Sequence, residues 1–214
     1  MQLARPCSSR GYTLIEVMIT VFIIAIGLLS AAALQAMSKK AAFDAIQRGS
    51  ANILAQDMVE RLRGNATNLA SYVPSGSVTL SSENIPTAQD CTSAAPCSGA
   101  QLATYDLQQW WQSLDGASEQ IVEGSGNNAS RSNAGGLRSP AGCISRVTGS
   151  CQATVTIAWR GMTRIRQGDS NNPDDPTNSD CGKTRADYEW DSVDQMSYRR
   201  VLVLPVNLGA GPCA

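Results

Sequence analysis

From Tyr12 to Met37 the chain reads YTLIEVMITVFIIAIGLLSAAALQAM, an apolar run in which the only charged side chain is Glu16. A helix needs roughly 20 consecutive apolar residues to cross a bilayer, so this run predicts a transmembrane helix. Arg5 and Arg10 precede it, and the positive-inside rule then keeps the N-terminus cytoplasmic and sends the rest of the chain across the membrane. A cleaved secretory signal is the alternative, with SAAAL as its cut site; such signals have a shorter apolar core of about 7–15 residues. Glu16 argues against a disposable segment, because a carboxylate near the bilayer centre costs about 3 kcal/mol or more. The residues leave two accounts of Glu16 open: an acid with a function inside the apolar phase, or one close enough to the cytoplasmic end to reach the headgroups.

Beyond Met37, Ala51, Leu54, Ala55, Met58, Val59 and Leu62 recur at the i, i+3, i+4, i+7 spacing of an amphipathic helix, and Gly64-Asn65 supplies a stop. No proline falls between Tyr12 and Gly64. The expectation is one continuous helix of about 78 Å at ~1.5 Å per residue.

The chain has 214 residues, no histidine and a net charge of −1. Without histidine it lacks the usual general base near neutral pH, the Ser/His and Cys/His pairs and the commonest zinc ligand. The interspersed charges give no global field favouring nucleic acid. Of seven cysteines, Cys91, Cys97, Cys143, Cys151, Cys181 and Cys213 lie in the polar part. The spacings in CTSAAPC and CISRVTGSC match no CxxC motif, so disulfides in an oxidising compartment are expected. Sequence leaves the connectivity open; local pairs are expected, Cys91 with Cys97 and Cys143 with Cys151, leaving Cys181 with Cys213.

Residues 66 to about 100 show no period and read as a long loop. AQLATYDLQQWWQSLDG predicts a helix with Leu107, Trp110, Trp111 and Leu114 on one side and Gly116 as its stop; tryptophans at that spacing are read as core rather than a ligand platform. EGSGNNASRSNAGG reads as an exposed loop. CQATVTIAWRG alternates as a half-buried strand, with Val155, Ile157 and Trp159 on one face and Thr154, Thr156 and Arg160 on the other. It follows CISRV as a hairpin, and SYRRVLVLPV predicts a last strand in which Pro205 ends the ladder or marks an edge. The fold class is α+β: a long N-terminal helix, then a small antiparallel sheet stapled by disulfides.

QGDSNNPDDPTNSDCG offers Asp169, Asn171, Asp174, Asp175 and Asp180 as oxygen ligands for calcium. It lacks the EF-hand order, and a solvated turn-rich loop is preferred. Arg160, Arg164, Arg166, Arg199 and Arg200 could form a basic stripe for DNA, with a strand face neutralised by the acidic loop as the preferred alternative. No phosphate loop, HExxH or GxSxG is present. Neither an enzyme active site nor a cofactor is expected.

The start RGYTLIEVMI, a basic residue and glycine followed by an aromatic and TLIE, resembles the type IV prepilin signal. The resemblance implies cleavage by prepilin peptidase after Gly11, N-methylation of Tyr12, and Glu16 as the fifth residue of the mature subunit. In that family the carboxylate is thought to pair with the N-terminal amine of an adjacent subunit. Tyr12 stands where phenylalanine is more usual, and Ala33 where many major pilins carry proline, which hints at a minor subunit. LAQDMVERLRGN, GCISR, TVTIAWRG and YRRVLVL are similar, more loosely, to minor pilins of the type IV pilus modification group.

The implied organisation is a leader at 1–11, a membrane or filament-core helix at 12–38, its amphipathic continuation at 39–64 and an α+β head at 65–214. The implied partners are the peptidase, other minor pilins, the major pilin and a tip adhesin. The implied location is the inner membrane with a periplasmic head, then the filament. A type II secretion pseudopilin shares the N-terminal features; an adhesin or DNA-binding subunit mounted on a pilin helix is the alternative of another class. A signal-anchored periplasmic enzyme, a third class, would show no cleavage at Gly11.

Overall fold

A computed structural model describes residues 11–92, 94–117, 119–124, 129–169, 171–172 and 174–209. One helix, α1 (Leu14–Gly64), runs without interruption through the apolar and amphipathic stretches, with Arg61 and Arg63 in its last turn, where cations complement the helix dipole. The chain divides between Ala42 and Phe43 into two units. In the first, every side chain from residue 11 to 42 is exposed, including Leu14, Phe22 and Leu29. That stretch lies within a helix long and apolar enough to cross a membrane.

The second unit is built on an antiparallel sheet of strands β1 (Ser77–Leu80), β4 (Ala141–Arg146), β5 (Gln152–Arg166) and β6 (Met196–Asn207), in the order β1-β4-β5-β6. Against one face lie the later part of α1 and helix α3 (Gly99–Asp115). Ala51, Ala55, Met58, Val59 and Leu62 of α1, as the spacing predicted apart from a half-buried Leu54, meet Leu107, Trp110, Trp111 and Leu114 of α3 and Val155, Ile157 and Trp159 of β5. The tryptophan pair is therefore core. Trp110 is fully buried and its indole N–H donates to the Leu54 carbonyl at 2.8 Å. Ser98 and Gln101 cap α3 reciprocally, and Gly116, at φ 73°, ends it. A Cβ at Gly116 would stand 2.0 Å from the Gly135 carbonyl oxygen, so glycine is required where these two backbones cross.

Three readings are corrected. The stretch after Gly64 is not one loop: a 3₁₀ turn (Ala66–Asn68), the short helix α2 (Leu69–Tyr72) and edge strand β1 fall within it. These elements are too short for periodicity to register, and β1 is held by its register with β4. The glycine-rich stretch after Glu123 returns as β3 (Ser130–Asn133), which pairs with β2 (Gln120–Glu123) in an exposed ribbon. The outer face of β5 is not half-buried: Ala158 is fully buried and Thr156 nearly so, with Tyr188 and Cys181 of the 176–191 loop packed on Ala141 and Ala158.

The disulfides separate in the same way. Cys91 pairs with Cys97 as expected, but Cys143 pairs with Cys181, not with Cys151. In the β4–β5 register Cys143 stands opposite Thr156, about 17 Å along the strand from Cys151 at ~3.4 Å per residue. The Cys143–Cys181 Cα separation is 5.8 Å, within the range a disulfide spans. Cys151 is disulfide-bonded as well, while Cys213 lies outside the described residues.

Because Trp110 of α3 bonds α1 at Leu54 and lies against β4 at Gly142, Trp110→Ala is expected to destabilise the second unit by about 3–5 kcal/mol. Chemical unfolding followed by near-UV circular dichroism checks this, with Val193→Ala, at an 88% exposed position, as a near-neutral control.

Candidate functional site

The residues that carry chemistry sit at the start of α1. Gly11 is exposed with open space where a side chain would stand, and Tyr12 is 83% exposed. Thr13 begins the helix: its carbonyl accepts from the Glu16 and Val17 N–H groups at 3.1 and 3.3 Å, and its hydroxyl accepts from Glu16 N–H at 3.4 Å. Glu16 thus occupies the first turn, where the helix dipole favours an anion.

The polar side chains of the apolar run divide sharply. Thr20 donates its hydroxyl to the Val17 carbonyl and Ser30 to the Ile26 carbonyl, both at 2.9 Å, so each can enter an apolar phase already satisfied. Among the described residues no hydrogen bond or ion pair engages the Glu16 carboxylate. Between Leu14 and Leu34 it is the one polar side chain left uncompensated, in a ring of exposed Ile15, Val17, Ile19 and Thr20. A carboxylate moved so into an apolar environment requires a cation.

Among the described residues the acidic side chains of the 169–180 loop are not brought together. Asp169 accepts from Asn171 N–H at 2.9 Å, and Asp175 accepts from Thr177 N–H at 2.8 Å and from Asp169 N–H at 3.1 Å. The Thr177 hydroxyl and N–H hold the Asp175 carboxyl below the usual carboxylate range. Asp174 is exposed, and among the described residues no three Asp, Glu, Cys or His side chains converge as a metal site.

The arginines do not form one stripe. Arg160 and Arg164 both bond Glu189 and stack on Tyr198, 4.5 and 5.4 Å from its ring centre. Arg200 reaches Asp44 at 3.4 Å, and Asp44 in turn accepts from the Met162 N–H at 2.9 Å. Arg166 is exposed. Arg199 is buried, and its guanidinium donates to the carbonyls of Thr177, Ser179 and Cys181 and to the Gln167 side chain. Burial pushes its pKa down. It ties the loop to β6 rather than facing a ligand.

Sequence reasoning also missed Asp106. It accepts from the Tyr72 hydroxyl and from Arg61, which also holds Asp57 at 2.9 Å, so α1, α2 and α3 share one buried polar junction. Burial, reinforced by the bond to Asp106, raises the Tyr72 hydroxyl well above its ordinary value. An acid between Ala103 and Leu107 on the apolar face of a helix was the available signal.

Comparison with known families now bears on this geometry. Residues 7–32 match the prokaryotic N-terminal methylation motif, and residues 33–108 match the family described as Type IV pilin Tt1218. No curated protein and no solved structure matches the chain. Over those residues the chain is similar to the type IV pilin class, and its α+β fold, its apolar helix and the two disulfides formed among the described residues accord with that similarity. That class is structural and in general non-enzymatic, and its methylation motif implies processing by prepilin peptidase and assembly with other pilins.

The Arg160–Glu189–Arg164 cluster gives a pH test. The hydrogen bond to Arg160, then that to Arg164, holds the Glu189 carboxyl below its usual value. A depressed carboxylate stabilises the fold above its unfolded pKa of about 4.3, and that contribution is lost as pH falls through the folded value. Thermal melts across this window should show a smaller acid-side loss for Glu189→Gln than for the parent chain, and equal melting temperatures at the acid limit.

Proposed function

We propose that the chain is a minor pilin of a type IV pilus, of the PilV modification-protein kind, that primes or supports pilus assembly and so serves twitching motility or surface attachment. The observation that carries this reading is the Glu16 carboxylate, without a partner among the described residues, in the first turn of a helix that is apolar and exposed from Leu14 to Leu34, inside the methylation motif. Prepilin peptidase cuts between Gly11 and Tyr12, and Tyr12 is then N-methylated. In the precursor the Tyr12 nitrogen is a neutral amide. Cleavage turns it into a cation at the helix end, four residues from an acid that needs one. Paired between neighbouring subunits, the two charges fix the register of adjacent helices, because a misplaced neighbour leaves a carboxylate unpaired in an apolar medium.

Before assembly the helix anchors the subunit in the inner membrane, with the N-terminus cytoplasmic and the sheet-bearing unit periplasmic, where its disulfides form. In the filament its neighbours are the major pilin, other minor pilins and a tip adhesin. The match to a pilin family over residues 33–108 favours a pilus over a type II secretion machine.

Sheared-pilus yield from a deletion strain, complemented with parent or variant chains, tests the reading. Glu16→Ala should lower the yield at least about tenfold relative to the parent, the loss expected when roughly 1.4 kcal/mol of pairing is removed. The mature protein should begin at N-methyl-Tyr12. Full piliation by Glu16→Ala would end the register role, and intact pili with lost protein secretion in the deletion strain would assign the chain to the secretion machine.

A further inference from the structure

One edge of the sheet is β6, which pairs with β5 and, at Met196, makes a single bridge to Asp191. Its orientation follows from one hydrogen bond: Leu208 N–H donates to the Cys151 carbonyl at 2.8 Å, directly beyond the Gln152–Asn207 pair. Main-chain groups alternate along a strand. Leu202, Leu204 and Val206 therefore face β5, and Val201, Val203 and Pro205 face outward. Arg199 fits this alternation, since its outward carbonyl accepts from the Gln167 side chain at 2.8 Å.

The edge is closed at both ends and open between them. Gln167 occupies it at Arg199, and Pro205 offers no donor. Between these, the N–H and C=O groups of Val201 and Val203 have no partner among the described residues. They form the floor of a groove of about 700 Å³. Arg48 of α1 lines one wall and the 174–179 loop the other. The loop is braced: Asp175 bonds Thr177, Asn178 bonds the Asp169 and Asn172 carbonyls, and Arg199 holds Thr177 and Ser179 from beneath. Arg48 is exposed and makes no ion pair among the described residues. Edge strands are usually blunted by prolines, bulges or covering loops. Here the covering stops short of two residues and leaves a slot with a basic wall.

We propose that this slot receives a single extended segment of a partner polypeptide, added as a fifth strand along Val201–Val203 with an acidic side chain toward Arg48. Main-chain bonding supplies the affinity in such strand addition, and side chains on alternate faces supply the selectivity. The walls choose the occupant. A second copy's sheet edge would bring its own Arg48 and 174–179 loop into the same space, whereas a lone strand fits between them. The carboxylate follows from charge: Asp175 is committed to its own loop, and the uncommitted charges lining the slot are Arg48 and Asp174, so an acidic side chain is drawn to the Arg48 wall and kept off the loop wall.

The test uses the full chain in native membranes, with the photocrosslinker benzoylphenylalanine at Asp174 on the slot wall. Val203→Pro removes an outward N–H that makes no bond to β5, Val203→Ala keeps it, and Arg48→Glu reverses the wall charge. Retention of the Cys143–Cys181 disulfide and of the parental melting temperature certifies that each variant folds. The expected result is one adduct, unchanged by Val203→Ala and weakened roughly five- to tenfold by Val203→Pro and by Arg48→Glu, as the loss of one or two such bonds implies. Mass mapping should place the crosslink in a partner segment containing Asp or Glu. No adduct, an adduct indifferent to Val203→Pro, or one mapping to a second copy of this chain would overturn the proposal.

Discussion

A single carboxylate with no partner among the described residues sets the terms for the N-terminal part of this molecule. The helix around Glu16 is apolar on every side and exposed on every side, so it belongs in lipid or among other helices. Either environment accepts Thr20 and Ser30, whose hydroxyls are returned to their own backbone. Neither accepts Glu16 alone. In the proposed reading the same proteolytic cut that frees the subunit from its leader creates the matching charge, so processing and assembly competence are coupled by electrostatics. An unprocessed neighbour has the greasy surface but lacks the cation.

The second unit solves a different problem with the later part of the same helix. From Ala51 to Leu62 the apolar residues narrow to one stripe, and α3 and β5 cover it. Two kinds of device then hold the irregular segments. Disulfides fix them covalently, Cys91–Cys97 within a loop and Cys143–Cys181 between the sheet and the loop over its outer face. Buried polar side chains fix them by hydrogen bonding: Arg199 gathers loop carbonyls, and Asp106 gathers Tyr72 and Arg61. The loop over the outer face is bound by both, through Cys181 and through Arg199. That double attachment shapes the wall beside the open edge of β6.

What could be read from the residues was what local periodicity and local charge determine. The apolar run, the stripe from Ala51 to Leu62, the tryptophan helix and the β4–β5 hairpin each carry a pattern within one segment, and each is present. The α+β class followed from their order. The errors lie where a residue's environment is set by something distant in sequence. Cys143 chose Cys181 over the nearer Cys151 because strand register, which no spacing reveals, carries Cys151 out of reach. Thr156 looked like a solvent-facing residue until the 176–191 loop covered it. Arg199 and Arg200, adjacent in the chain, went to opposite faces, one into a cage of carbonyls and the other to Asp44. At the N-terminus bilayer physics identified Glu16 as costly, and only the motif around Gly11 and Tyr12 suggested what resolves the cost.

The central claim is that the Glu16 carboxylate lies against the N-terminal amine of a neighbouring subunit. Zero-length carbodiimide coupling of intact pili, followed by peptide mapping, reads that contact directly, because an amide forms with loss of water only where a carboxylate already touches an amine. The account predicts a crosslinked pair joining the Glu16 peptide of this chain to the N-terminal residue of another subunit. Glu16 recovered unmodified, or joined to a lysine, under conditions that couple other ion pairs in the filament would contradict it.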